Sequence, residues 1–414
     1  MQEIARTETQ FVVKPVVTAE PSSSTRLSSI DVLRGLVMVI MALDHTRDYF
    51  TYLRFQPEDL AQSYPALFFT RWITHFCAPL FFFLAGTGAF LLRSKSGSLG
   101  RVSRFLWTRG LWLIALEFTV IDYAWGFQPW HFGGVIWSLG CAMIVLAALV
   151  WLPESVILTL GLLVIATHDL TDTVRLPALG SFAPAWSLLH RTGVVPHTNF
   201  FVLFPIIPWA AVMAVGYAFG RVLLRAKEQQ RITLMIGIAA TLLFVVLRGF
   251  NAYGNPPADF AFNAPGPWQP QASLGMTIVA FLDLEKYPAS LQFLLMTIGP
   301  GLILLSLLDR VSPGSRLEKL LHPLLVFGRV PLFFYVLHIY LIHILAVLMA
   351  LAFRQPFEWL LHGAFFGNPL PAGYGHGLPM IYAVWLFAVA LLYVPCARFA
   401  ALKQRRRSWW LSYL

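Results

Sequence analysis

A chain of 414 residues that is 57% hydrophobic and 12% charged, with mean hydropathy +0.67, is not a soluble domain, in which about a quarter of residues are charged. Its net charge of +10 does not imply nucleic acid, because basic residues also mark the cytoplasmic loops of membrane proteins. The three cysteines, Cys77, Cys141 and Cys396, each lie in an apolar run; they read as small hydrophobes and exclude a disulfide framework.

The apolar runs predict an all-α, polytopic membrane bundle of about ten helices. The expected spans are 29–47, 66–92, 104–123, 134–151, 154–169, 200–222, 231–249, 289–308, 330–352 and 378–400. The fifth is short enough to be re-entrant. Residues 321–329 read as a separate interfacial or re-entrant piece, broken by Gly328 and Pro331. Residues 1–27 are polar and lack the apolar core of a signal peptide, so they read as a flexible cytoplasmic tail. The membrane domain is expected over 28–402, with a basic tail over 403–414. With the amino terminus inside, 22 of the 30 Lys and Arg fall in inner segments. That bias predicts both termini in the cytoplasm. The long outer segments 48–65, 170–199, 250–288 and 353–377 are candidates to roof an outward-opening site.

The first span carries Arg34 near its inner end and Asp44-His45 near its outer end. An ionisable group in such a span is costly unless it has a partner or a task. Arg34 and His45 are eleven residues apart, close to three turns, so they share a face at a separation of about 16 Å along the axis. A small substrate cannot span that distance, whereas an acyl-coenzyme A can: the guanidinium would grip phosphate and the imidazole would serve as base or nucleophile. The competing reading pairs Arg34 with Asp31 and leaves His45 as an interfacial histidine. The second span begins with Arg71, His75 and Pro79 on one face. Pro79 clashes with the carbonyl four residues back, which predicts a kink at His75. Gly86-Thr87-Gly88 predicts close helix packing. In the third span Glu117, with Asp122 nearby, either orients a histidine or pairs with an arginine. In the ninth, Tyr335 and His338 share a face that His343 does not, and both histidines read as packing residues. There is no His-Glu-x-x-His or similar cluster, so no metal is expected; a P-loop, a dinucleotide fingerprint and Gly-x-Ser-x-Gly are also absent from the sequence.

Ser29-Ile30-Asp31-Val32-Leu33-Arg34-Gly35 followed by Asp44-His45 resembles the opening of the transmembrane acyltransferase superfamily. A similar Arg–His pair opens the membrane O-acetylases of bacterial surface sugars. The nearer resemblance is to the bacterial branch related to heparan-α-glucosaminide N-acetyltransferase. It is carried also by Pro79–Gly86, Phe204–Trp209, Lys286–Leu291 and Phe327–Leu332, and runs from about residue 26 to about 395. The resemblance implies transfer of an acetyl group from cytosolic acetyl-CoA to a sugar or amino-sugar acceptor at the outer face of a bacterial cytoplasmic membrane. The animal enzyme carries its active histidine in the loop before the second span, but loop 48–65 here has none. The catalytic candidates are then His45 and His75, with Asp44 beside them. Arg34 and Arg71 are the candidates for holding the donor, and Glu117 and His338 for support. Heparan itself is not carried over as acceptor. From another class, a permease or carrier for a small polar or lipid-linked solute explains the same intramembrane charges; no internal repeat supports it.

Overall fold

The computed structural model describes residues 23–128, 131–225, 228–257, 265–362, 370–406 and 411. Of the tail expected over 1–27, residues 1–22 lie outside the described residues, and so do 407–410 and 412–414 at the other end. Helix α1 spans Ser23–Phe50, so its first turn takes in positions expected in the tail. The second expected span is α2 (Pro65–Trp72) and α3 (Cys77–Ser96), joined by a 3₁₀ turn over Ile73–Phe76. The expected kink therefore appears at His75, one turn before Pro79. Helix α4 (Leu99–Leu116) runs through a π turn at Glu117–Ile121 into α5 (Asp122–Gly126).

Next come α6 (Val135–Leu149), α7 (Glu154–Thr167), α8 (Ala183–Leu189), α9 (Ile206–Leu223) and α10 (Gln229–Gly249). The remaining helices are α11 (Leu274–Leu282), α12 (Leu291–Leu308), α13 (Arg316–Arg329), α14 (Pro331–Ala352), α15 (Glu358–Leu361) and α16 (Leu378–Arg405). Each expected span contains a helix. Among the described residues, seven helices are long and apolar enough to cross a membrane: the run Pro65–Ser96, the run Glu154–Thr171, and α9, α10, α12, α14 and α16. Helices α1 and α4 carry too many charges to join them, and α6 has only 15 residues.

Three expectations change. The sixth span was expected from residue 200, but Phe201–Val202 is a strand (β3), and the helix starts after Pro205. With β1 (Phe132–Gly133) parallel and β2 (Gly193–Val194) antiparallel to it, β3 centres a small sheet, so the fold is not purely helical. Residues 321–329 are the second half of α13, which continues through Gly328 and stops before Pro331. Helix α16 reaches Arg405, so Lys403 belongs to the helix and not to a tail.

Gly328 is where α13 crosses α1. A Cβ there would lie 1.7 Å from the Asp31 carbonyl oxygen, and one at Gly35 would lie 1.8 Å from that of Leu324. The two backbones touch, with no room for a side chain. Gly86 makes the same kind of contact between α3 and α9, 2.0 Å from the Met213 carbonyl, whereas Gly88 faces open space. Away from these crossings, the buried Arg248 guanidinium donates to the carbonyls of Ala280, Phe281 and Asp283 and stitches the end of α10 to the end of α11.

Gly328→Ala should destabilise the protein by about 1–3 kcal/mol, the usual range for overpacking. The control, Gly249→Ala, places its Cβ against nothing within 4 Å and should leave the thermal midpoint in detergent unchanged.

Candidate active site

Arg34 and His45 do lie along one side of α1, and they open into two adjoining cavities. The inner cavity, about 440 Å³, is lined by Arg34, Arg109, Arg329 and Lys403 at its charged end. The rest of its wall is apolar, including Met38, Leu84 and Leu92. All four basic residues come from segments whose charge bias assigned them to the inner side. Arg34 pairs with Asp31 (2.9 Å), as the competing reading required, and also reaches the Gly328 carbonyl (3.3 Å). The ion pair does not close the cavity to it.

The outer cavity, about 240 Å³, is lined by Asp44, His45, Arg47, Arg71, Glu117, Trp125, Lys286 and Tyr335 among others. Phe81, Val135 and Tyr335 line both cavities. Here His45 Nδ1 lies 2.7 Å from His338 Nε2, with the ring planes 16° apart. His338 Nδ1 lies 3.1 Å from the Phe334 carbonyl one turn back. A carbonyl only accepts, so Nδ1 of His338 carries the proton. A neutral His338 then presents a lone pair at Nε2, and His45 donates to it from Nδ1. That order leaves the Nε2 of His45 as an unshared lone pair. Trp125 packs edge-on to the ring, with centroids 4.8 Å apart. His338, read from its helix as a packing residue and from the family resemblance as a supporting one, is the hydrogen-bond partner of His45.

Asp44 and Arg71 belong to a buried ion network. Asp44 accepts from Arg47 (3.0 Å) and from Arg71, while Arg71 Nε donates to Glu58 Oε1 (2.8 Å). Arg71 is thus held between two carboxylates at the outer cavity, apart from Arg34 and the inner basic cluster. His75 is 1% exposed and does not line the outer cavity. Its Nε2 lies 3.5 Å from Glu58 Oε1, and its ring packs on Phe293. Glu117 Oε2 accepts the Trp137 amide (2.9 Å), at the amino-terminal turn of α6. Its neighbour is therefore a helix end, a natural place for a carboxylate, in place of the histidine or arginine foreseen.

Sequence reasoning did not single out Lys286 or Glu58 as site residues. Lys286 sits in the short turn before α12, 5.0 Å from the Tyr287 ring centroid, and brings the cation of a distant loop into the outer cavity. Its run Lys286-Tyr287-Pro288 was visible only as part of a family pattern. Beyond the outer cavity is a polar vestibule of about 730 Å³, lined by Arg54, Glu58, Asp59, Trp268, Gln269 and Asp283. Gln56 lines both the vestibule and the outer cavity.

Seven helices long and apolar enough to cross a membrane, packed with two adjoining cavities among them, mark an integral membrane protein. The family model described as heparan-α-glucosaminide N-acetyltransferase, catalytic, matches residues 26–251, more than half of the chain, and the chain belongs to that family. Its class is accordingly that of an acetyltransferase-type enzyme. No curated protein matches the chain.

Burial pushes the Glu58 carboxyl up, but the Arg71 guanidinium and His75 outweigh it and hold it well below the usual carboxylate range. A depressed carboxyl contributes stability that is present above its unfolded value, about 4.3, and is lost as pH falls from there. Glu58→Gln should therefore lower the thermal midpoint by a constant amount from pH 8 to about 5. The gap to the wild type should narrow below about pH 4. Parallel melts across that range check it.

Proposed function

We propose that this protein takes an acetyl group from acetyl-CoA on the cytoplasmic side and passes it to a sugar or amino-sugar acceptor on the outer side, in a bacterial cytoplasmic membrane with both termini inside. All ten helical segments cross in this reading. The observation that carries it is the placement of Arg34 and His45 on one helix, each opening into its own cavity, with the two cavities sharing walls. Arg34, Arg109, Arg329 and Lys403 hold the phosphates of the donor, since guanidinium and ammonium groups suit phosphate. The apolar wall takes the pantetheine arm and directs the thioester toward Tyr335.

The acceptor arrives from the polar vestibule, where Trp268 and the amides suit a pyranose ring. His45 Nε2 removes the proton from its amine or hydroxyl as that atom attacks the thioester carbonyl. The carbon–sulfur bond then breaks, and the coenzyme leaves as thiolate and takes up a proton. The proton on His45 is stabilised by His338 and Asp44. Lys286 supplies positive charge for the oxyanion. Because donor and acceptor meet from opposite sides, no acetylated enzyme is required. His75 and Arg71 hold the outer network in place and touch neither substrate.

Labelled acetyl is followed from acetyl-CoA into membrane amino sugars. His45→Ala should lower transfer at least ~100-fold, the scale of a lost general base. Arg34→Ala should raise the KM for acetyl-CoA with little change in kcat, the mark of lost ground-state binding. Wild-type transfer by His45→Ala would exclude the reading. Release of coenzyme from acetyl-CoA without any acceptor would replace direct transfer by an acetyl-histidine route.

A further inference from the structure

A second cluster of titratable side chains lies apart from the histidine pair of the active site. His168 lies in the 3₁₀ turn His168–Thr171 that follows α7, and Asp172 comes directly after that turn. His190 is the residue that ends α8. The sequence separates His190 from Asp172 by 18 positions and a whole short helix, which is why no metal motif is visible there. In the fold one ligand-capable atom from each of the three lies within 4.8 Å of the other two. They are the only such group among the described residues.

All three side chains are buried, at 5%, 4% and 1% exposure. His190 Nε2 and Asp172 Oδ1 are 2.8 Å apart. The other polar atoms of the cluster are poorly served. Asp172 Oδ2, His190 Nδ1 and Asp169 Oδ1 have no hydrogen-bond partner, and neither ring nitrogen of His168 has a well-formed one. Asp169 Oδ1 lies 3.2 Å from His168 Nδ1, while its other oxygen accepts the Leu291 amide (2.9 Å). Buried polar groups are nearly always bonded. A concentration of unsatisfied lone pairs in one buried spot is what a cation would resolve.

We propose that His168, Asp172 and His190 form a zinc site that fastens the 168–190 segment to the outer end of the helical bundle. Two imidazoles and one carboxylate suit borderline Zn²⁺ and not Mg²⁺ or Ca²⁺, which take mainly oxygen ligands. Zinc bonds of about 2.0–2.2 Å in a tetrahedron place neighbouring ligand atoms roughly 3.4 Å apart. Side-chain rotations that bring spacings of up to 4.8 Å in by about 1.4 Å, and open the 2.8 Å His190–Asp172 contact slightly, reach that value. Asp169 Oδ1 or a water completes four-coordination. The site is a clamp: Asp169 is bonded to the first turn of α12, and α12 follows the Lys286–Tyr287 turn. Arg191 donates to the Asp172 carbonyl (3.2 Å) from the outer side of the same knot. The proposal is independent of the acetyl-transfer reading.

The test uses the full chain without a polyhistidine tag, purified in detergent and stripped with a chelator, then titrated with Zn²⁺. The wild type should bind one equivalent by elemental analysis, and its thermal midpoint should rise with Zn²⁺, because a ligand of the folded state stabilises it. His190→Ala should bind at least ~10-fold more weakly, even by the standard of outer-shell losses, and its midpoint should not respond. Asp172→Asn, which keeps the side-chain shape, covers the case in which His190→Ala does not fold and should lose binding equally. A wild type that binds no zinc, or variants that bind as it does, would overturn the site and leave a histidine–aspartate pair beside a packed histidine.

Discussion

The contact between Gly35 and Gly328 fixes how α1 sits against α13, and with it the direction in which Arg34 and His45 face. With no side chain between them, α1 and α13 meet backbone to backbone, and each helix loses the freedom to rotate or slide. The residues next to the two glycines, Arg34 and Arg329, are thereby brought to the same cavity. Three turns further along α1, the same fixed rotation aims His45 at His338 on α14, which begins directly after α13 ends. The two adjoining cavities along α1 are thus indexed from a single steric constraint.

The outer end of α1 is held by charge. Asp44, Arg47, Asp48, Glu58 and Arg71 form a mostly buried network. Buried ions are costly one at a time and tolerable only when each has partners. The network joins α1 to α2 and to the loop between them, so the loop that carries Gln56 toward both outer chambers has a fixed anchor. This also explains why Arg71 is a poor candidate for gripping phosphate: both carboxylates that hold it would have to release it.

Much of this was legible from residue order. The polar stripe on α1 followed from helical periodicity, and the break in the helix at His75 from the position of Pro79. The signals that failed are those with no local period. His338 looked like any histidine on an apolar helix, since its partner is 293 positions away. Lys286 and Glu58 lie in loops, where spacing says nothing about direction. Glu117 was noticed for its cost in an apolar run, but its partner is the amino-terminal turn of another helix, which no side-chain pattern reveals. The short strand at Phe201–Val202 was absorbed into an apolar run because hydrophobicity alone does not tell a strand from the start of a helix.

The polarity of α1 bears also on how the protein is made. It is the first described helix of the chain, yet it is not among those apolar enough to cross a membrane by composition. It packs chiefly against α13, α14 and α16, all of which lie far downstream of it in the chain. During synthesis the helix that carries His45 is therefore a poor tenant of the bilayer. Its burial depends on those later helices, so a stable position for α1 in the bilayer is coupled to their packing.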